Sequence, residues 1–120
     1  MLRFIRHVWQ RGIWSTHGLR DTYRQEYSFR CWVWLNVVSA GAALVLPLPG
    51  AYRAMILALG VLVLACELIN TAIERAVDHT STDHHPLAKE AKDAGSAAVA
   101  VTAAAAGVAW IVALWEMALG

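Results

Sequence analysis

Charge is scarce in this 120-residue chain, with 16% of residues Asp, Glu, Lys or Arg against 58% hydrophobic. A water-soluble domain of this size has too little interior to hide that much apolar surface. Residues 31–52 and 94–115 carry no charge at all, a purity that a buried helix in a soluble fold rarely needs. Cysteine is nearly missing: Cys31 and Cys66 are the only two, their spacing matches no zinc pattern, and they read as small apolar fillers. No proline falls between Ala51 and Val77, so a single helix can run through that stretch. The chain has no Gly-x-x-x-x-Gly-Lys-Ser/Thr loop, no Gly-rich kinase loop and no Asp-Phe-Gly, which excludes the P-loop and protein-kinase solutions to phosphate chemistry. A cleaved signal peptide is not expected, because residues 1–30 are polar and arginine-rich and the first apolar run starts too late.

What is present describes an all-α integral membrane protein, a single domain with an N-terminal amphipathic surface helix (1–28) and three transmembrane helices (29–47, 51–78 and 87–119). In the first segment Phe4, Ile5, Val8, Trp9, Ile13 and Trp14 alternate with Arg and His, the pattern of a helix lying in a membrane surface. Gly12 and Gly18 weaken it, so a bend or break is expected there. The first span ends at Pro47-Leu48-Pro49-Gly50, and its polar Asn36 and Ser39 are expected to hydrogen-bond to a neighbouring helix. Small residues from Ala94 to Ala106, with Gly107, allow the last helix to pack closely.

Orientation follows from charge placement. Residues 1–30 hold Arg3, Arg6, Arg11, Arg20, Arg24 and Arg30 against only Asp21 and Glu26. The positive-inside rule then predicts a cytoplasmic N-terminus, a cytoplasmic 74–92 connection and a C-terminus on the far side, periplasmic if the membrane is a bacterial inner membrane. Arg53, in the short turn after the first span, is a basic residue of the kind an external turn tolerates.

The second span turns polar before it ends, in Cys66-Glu67-Leu68-Ile69-Asn70-Thr71-Ala72-Ile73-Glu74-Arg75-Ala76-Val77-Asp78. At about 100° per residue from Glu67, Asn70 falls at about −60°, Glu74 at about −20° and Asp78 at about +20°, one face about 80° wide. Carboxylates beside hydrocarbon are costly, and a stripe of them at a membrane edge suggests metal and proton chemistry. The same spacing also fits solvated groups on a helix that protrudes from the lipid, and the spacing alone does not separate the two.

Other charged groups gather at the same edge. Glu26 stands alone among Arg20, Arg24 and Arg30, and its spacing favours an i,i+4 pair with Arg30. Asp83-His84-His85 reads as a solvated turn, with Pro86 opening the last helix. Lys89, Asp93 and Ser96 share a face there, and Lys92 is spaced to meet Ser96. Carboxylates with lysines suit magnesium and phosphate. Mg²⁺ takes a few carboxylates plus phosphate oxygens, lysine meets phosphate as a point charge, and a spare carboxylate can accept a hydroxyl proton.

These residues carry a resemblance. Glu67-Leu68-Ile69-Asn70-Thr71-Ala72-Ile73-Glu74 with Val77-Asp78, followed by Ala91-Lys92-Asp93-Ala94-Gly95-Ser96-Ala97-Ala98-Val99, resembles the signature of the small prokaryotic diacylglycerol kinases. Gly18-Leu19-Arg20, Glu26 and Phe29-Arg30 are similar to that family's N-terminal pattern. The resemblance implies a homotrimer with active sites between subunits at the cytoplasmic interface, where ATP phosphorylates the primary hydroxyl of diacylglycerol to give phosphatidic acid. It implies Glu67 as general base, Glu26 and Glu74 as ligands of the Mg²⁺ of MgATP, and Asn70 positioning groups beside the base. Lys92 and Asp93 would contact nucleotide, Asp78 would be a structural or nucleotide-side partner, and Arg3 or Arg6 would be the N-terminal nucleotide-binding arginine, Arg6 being taken forward. The partners implied are ATP, a lipid alcohol, membrane lipids and further copies of the chain, with no nucleic acid. Cys31-Trp32 departs from the family pattern where an acid often stands. His85-Pro86-Leu87 resembles the polyprenol-kinase branch, so undecaprenol is the alternative substrate. A non-catalytic membrane scaffold is the reading from another class.

Overall fold

Four α-helices and no strand make up the fold, and the computed structural model describes all of residues 1–120. They are α1 (Leu2–Gln25), α2 (Tyr27–Val45), α3 (Gly50–Thr80) and α4 (Pro86–Leu119). α2, α3 and α4 are each long and apolar enough to cross a membrane. At 1.5 Å per residue α3 is about 46 Å long and α4 about 51 Å, so each outreaches a hydrocarbon layer of about 30 Å by several turns. Those surplus turns carry the charged residues.

The helix ends follow local chemistry. Leu46, held before Pro47, turns to φ −69°, ψ 146° and stops α2. Pro86 opens α4, and the His85 ring nitrogen accepts from the Leu87 amide at 3.2 Å. Gly12 and Gly18 do not break α1, which stays helical through both. The break falls instead at Glu26, at φ −102° and ψ 115° between α1 and α2. Arg30, from the first turn of α2, reaches back across it and donates to the carbonyls of Tyr23 (3.0 Å) and Arg24 (2.9 Å). Those are terminal carbonyls of α1 with no intrahelical donor, so Arg30 caps that helix rather than pairing with Glu26.

α3 is the central element, packed on α2 along one side and on α4 along another, with the end of α1 resting near its last turns. The α3/α4 pair is antiparallel and in register from end to end: Asp78 meets Lys92, Asn70 lies on Gly95, and the Cys66 Sγ is 3.3 Å from the Thr102 hydroxyl. Further along, Ile56 packs with Ala109 and Ala113. Cys66 is thus half-buried as a filler would be, whereas Cys31 is exposed on this chain.

At the turn between α2 and α3, Ala43, Leu48, Ile56, Ala109 and Ala113 form the one buried apolar cluster. Arg53 fastens it, its guanidinium donating to the carbonyls of Ala43 (2.9 Å), Leu46 (3.2 Å) and Leu48 (3.2 Å). The Ala43 carbonyl is one that α2 leaves open, since its helical donor would be Pro47, while the Leu46 carbonyl also accepts from the Leu48 amide at 2.8 Å. The polar groups of α2 are also used as expected. The Asn36 amide donates to the Gly60 carbonyl, and the Trp110 indole donates to the Ser39 hydroxyl at 2.8 Å. Only 14 of 120 residues are buried, so most apolar side chains of the three long helices face outward, as lipid-exposed surfaces do.

Candidate functional site at the charged ends of α3 and α4

The stripe on α3 is graded in exposure. Glu67 is 4% exposed and Asn70 8%, Glu74 is half-buried, and Asp78 is exposed. One helix face therefore runs from a closed interior to open surroundings in about three turns. Each position meets a different environment.

Glu67, the deepest, receives no hydrogen bond and no ion pair on its carboxylate. No side chain of α1, α2 or α4 bonds or pairs with it. One turn on, the Asn70 amide nitrogen donates to Glu74 Oε1 at 3.0 Å. Its oxygen has no partner and is fully buried against Gly95 of α4. A Cβ at Gly95 would collide with that oxygen and stand 3.4 Å from Asn70 Cγ, so a glycine is required for the asparagine to lie here. Asn70 thereby fixes the Glu74 carboxylate while leaving its own acceptor unused.

Two cross-helix ion pairs complete the site. Lys92 reaches Asp78 Oδ1 at 2.5 Å, not Ser96 on its own helix. Glu26 accepts from Arg75 at 3.1 Å, and the same guanidinium nitrogen lies 3.2 Å from Gln25 Oε1. Asp93 is turned toward Lys89 on α4. Glu74, Asp78, Lys92 and, through Arg75, Glu26 are thus brought to one end of the bundle. Arg6 is not, since it is exposed on α1 and makes no polar contact.

Sequence reasoning missed Arg75 as the group that ties the α1–α2 break to α3. One residue past Glu74 it points about 100° away from the stripe, toward α1 rather than along the face. It also missed that the 81–85 connection lines a polar cavity of about 210 Å³, bounded by Asp78, Ser81, His85, Lys89, Lys92 and Asp93.

No three acidic, histidine or cysteine side chains converge to cage a metal within one chain. The donor set nevertheless suits Mg²⁺, which needs only one or two carboxylates when phosphate oxygens and water supply the rest. Arg75 and Asn70 each engage Oε1 of Glu26 and Glu74, which leaves the second oxygen of each carboxylate without a protein partner.

Residues 13–114 match the sequence family described as prokaryotic diacylglycerol kinase. A diacylglycerol kinase of Pseudomonas aeruginosa is 42% identical over 97 residues, covering 81% of this chain and 79% of the relative. One from Escherichia coli K12 is 32% identical over 103 residues, covering 86% and 84%. One from Haemophilus influenzae is 29% identical over 106 residues, covering 88% and 90%.

Proposed function

The chain belongs to the prokaryotic diacylglycerol kinase family, and from that premise we propose that it moves the γ-phosphoryl group of ATP to the primary hydroxyl of diacylglycerol, giving phosphatidic acid. The observation that carries the mechanism is the unpaired, 4%-exposed carboxylate of Glu67 at the deep end of a face that opens toward water.

Glu67 is the general base. A lipid hydroxyl arriving from the hydrocarbon side meets this carboxylate first, within reach to hand over its proton. As the hydroxyl oxygen bonds to the γ-phosphorus, its proton passes to Glu67 and the bond from phosphorus to the bridging oxygen breaks, releasing ADP. Glu26 and Glu74 hold the Mg²⁺ of MgATP, and that ion supplies neutralisation of the phosphate charge. Asn70 orients Glu74, and its free oxygen is placed to accept from a bound group. Lys92 meets phosphate as a point charge, with Asp78 holding its ammonium between turnovers. Asp93 contacts nucleotide by leaving Lys89, and Arg6, which stands outside the site within one chain, would contact it only after α1 has moved.

The enzyme sits in a bacterial inner membrane with the charged ends of α3 and α4 and the N-terminus in the cytoplasm, and the C-terminus in the periplasm. α1 lies as an amphipathic helix in the membrane surface, with Phe4, Ile5, Val8, Trp9 and Ile13 along one shallow groove facing the acyl chains. The working unit is a homotrimer with sites between subunits. Supporting this are the small buried fraction of a single chain and a site whose ligands do not close in one copy.

The test is transfer of labelled γ-phosphate from MgATP to lipid in mixed micelles, with diacylglycerol and undecaprenol in competition. Label in phosphatidic acid, lost in Glu67→Gln, supports the reading. Label mainly in undecaprenyl phosphate reassigns the substrate, and an unchanged rate in Glu67→Gln removes the assigned base.

A further inference from the structure

Arg75 is the one cation placed on a proposed metal ligand. It extends from α3 across to the break between α1 and α2, where its guanidinium takes both Gln25 Oε1 and Glu26 Oε1. Its side chain is 44% exposed and that of Glu26 32%. The pair is therefore partly open to water, held weakly enough to exchange. Glu26 itself sits at the only non-helical residue between α1 and α2, so its carboxylate is aimed by this contact and not by a continuing helix.

We infer that Arg75 is a positioning residue that stands in for the divalent cation. It neutralises Glu26 and holds it toward α3 while no metal is bound, and it gives the carboxylate up when metal arrives. The inference rests on the assignment of Glu26 as a metal ligand. It assigns Arg75 a role in the opposite sense to a ligand, because a guanidinium on one oxygen competes for the carboxylate and its charge raises the local potential against a second cation. Glu74 offers the contrast. Its aiming partner is the neutral Asn70 amide, which orients the carboxylate at no electrostatic cost to metal binding.

The sign of the effect separates this role from a merely structural one. A strut that only shapes the site would weaken metal binding when removed, whereas a competitor would strengthen it. The experiment is titration of the full-length protein in detergent micelles with Mn²⁺ alone, no nucleotide present, following the free-ion signal by electron paramagnetic resonance. Arg75→Ala is expected to bind Mn²⁺ about two- to five-fold more tightly, the range in which exposed ion pairs are measured. Arg75→Lys, which keeps the charge, should stay near the parent affinity. In a Glu26→Gln background Arg75→Ala should change nothing. Unchanged or weaker binding in Arg75→Ala, with Glu26→Gln still impaired, overturns the role of Arg75 and leaves Glu26 as a ligand. Parent-like binding in Glu26→Gln removes Glu26 from the metal site, and the role of Arg75 goes with it.

Discussion

The two halves of the helical bundle contain the same pieces and use them differently. In the half that ends at the Pro47 turn, Asn36 of α2 lies on Gly60 of α3, donating to that glycine's carbonyl, and Arg53 bonds three backbone carbonyls. In the charged half, Asn70 of α3 lies on Gly95 of α4 with its oxygen buried and unpartnered, and Glu67, 4% exposed, makes no hydrogen bond or ion pair. Both halves seat an asparagine where any Cβ on the facing glycine would collide with it. In the first half the Asn36 and Arg53 donors end on backbone carbonyls, whereas in the charged half Asn70 donates to the Glu74 side chain and its oxygen is sealed without a partner. Polar groups satisfied within the chain stabilise it, and polar groups left open at a cost are those a ligand can use.

Breaking that contrast should begin with Glu67. Glu67→Gln is expected to slow phosphoryl transfer by about 100- to 10,000-fold, the range for loss of a positioned base. Thermal unfolding in the same micelles should show equal or greater stability, because Glu67 makes no hydrogen bond or ion pair that the change could break. Arg53→Ala should do the reverse. Leaving the Ala43 and Leu48 carbonyls without their donor should cost about 1–3 kcal/mol, read as a lower unfolding midpoint, with turnover of the remaining folded enzyme near normal.

The glycines sharpen the comparison. In Gly60→Ala the added Cβ would stand 3.1 Å from Asn36 Cγ, and in Gly95→Ala 3.4 Å from Asn70 Cγ. Overpacking of this kind costs about 1–3 kcal/mol. The loss should appear as stability alone at Gly60, and at Gly95 also as a fall in kcat, since displacing Asn70 frees the Glu74 carboxylate it holds. Unfolding curves and initial rates on both variants distinguish the two outcomes.

Much of the charged half was legible in the sequence, because a helix imposes its own angular spacing. Glu67, Asn70, Glu74 and Asp78 share a face by counting residues, whereas the grading of their exposure comes from how far the neighbouring helices cover that face. The pairings were not legible. The i,i+4 rule offered Arg30 to Glu26 and Ser96 to Lys92, but Glu26 is held by Arg75 and Lys92 by Asp78. That rule sees one helix at a time, whereas these contacts depend on the antiparallel register of α3 with α4 and on the fold-back of α1. The break was misplaced for a related reason. Glycine lowers helix stability by only about 1 kcal/mol, too little to interrupt α1 at Gly12 or Gly18. The chain turns at Glu26, where Arg30 supplies the cap from the next helix. Arg53 looked like an incidental basic residue because its partners are backbone carbonyls, which carry no sequence signal.

The two asparagines offer the most direct test of the claim that the halves are built for different ends. Asn36→Ala and Asn70→Ala can be compared in one detergent, each for unfolding midpoint and for kcat with diacylglycerol. A crossed result is expected: Asn36→Ala loses about 0.5–2 kcal/mol of stability and keeps its kcat, while Asn70→Ala keeps its stability and loses kcat at least ten-fold. Loss of stability in both variants with kcat preserved in both would contradict it.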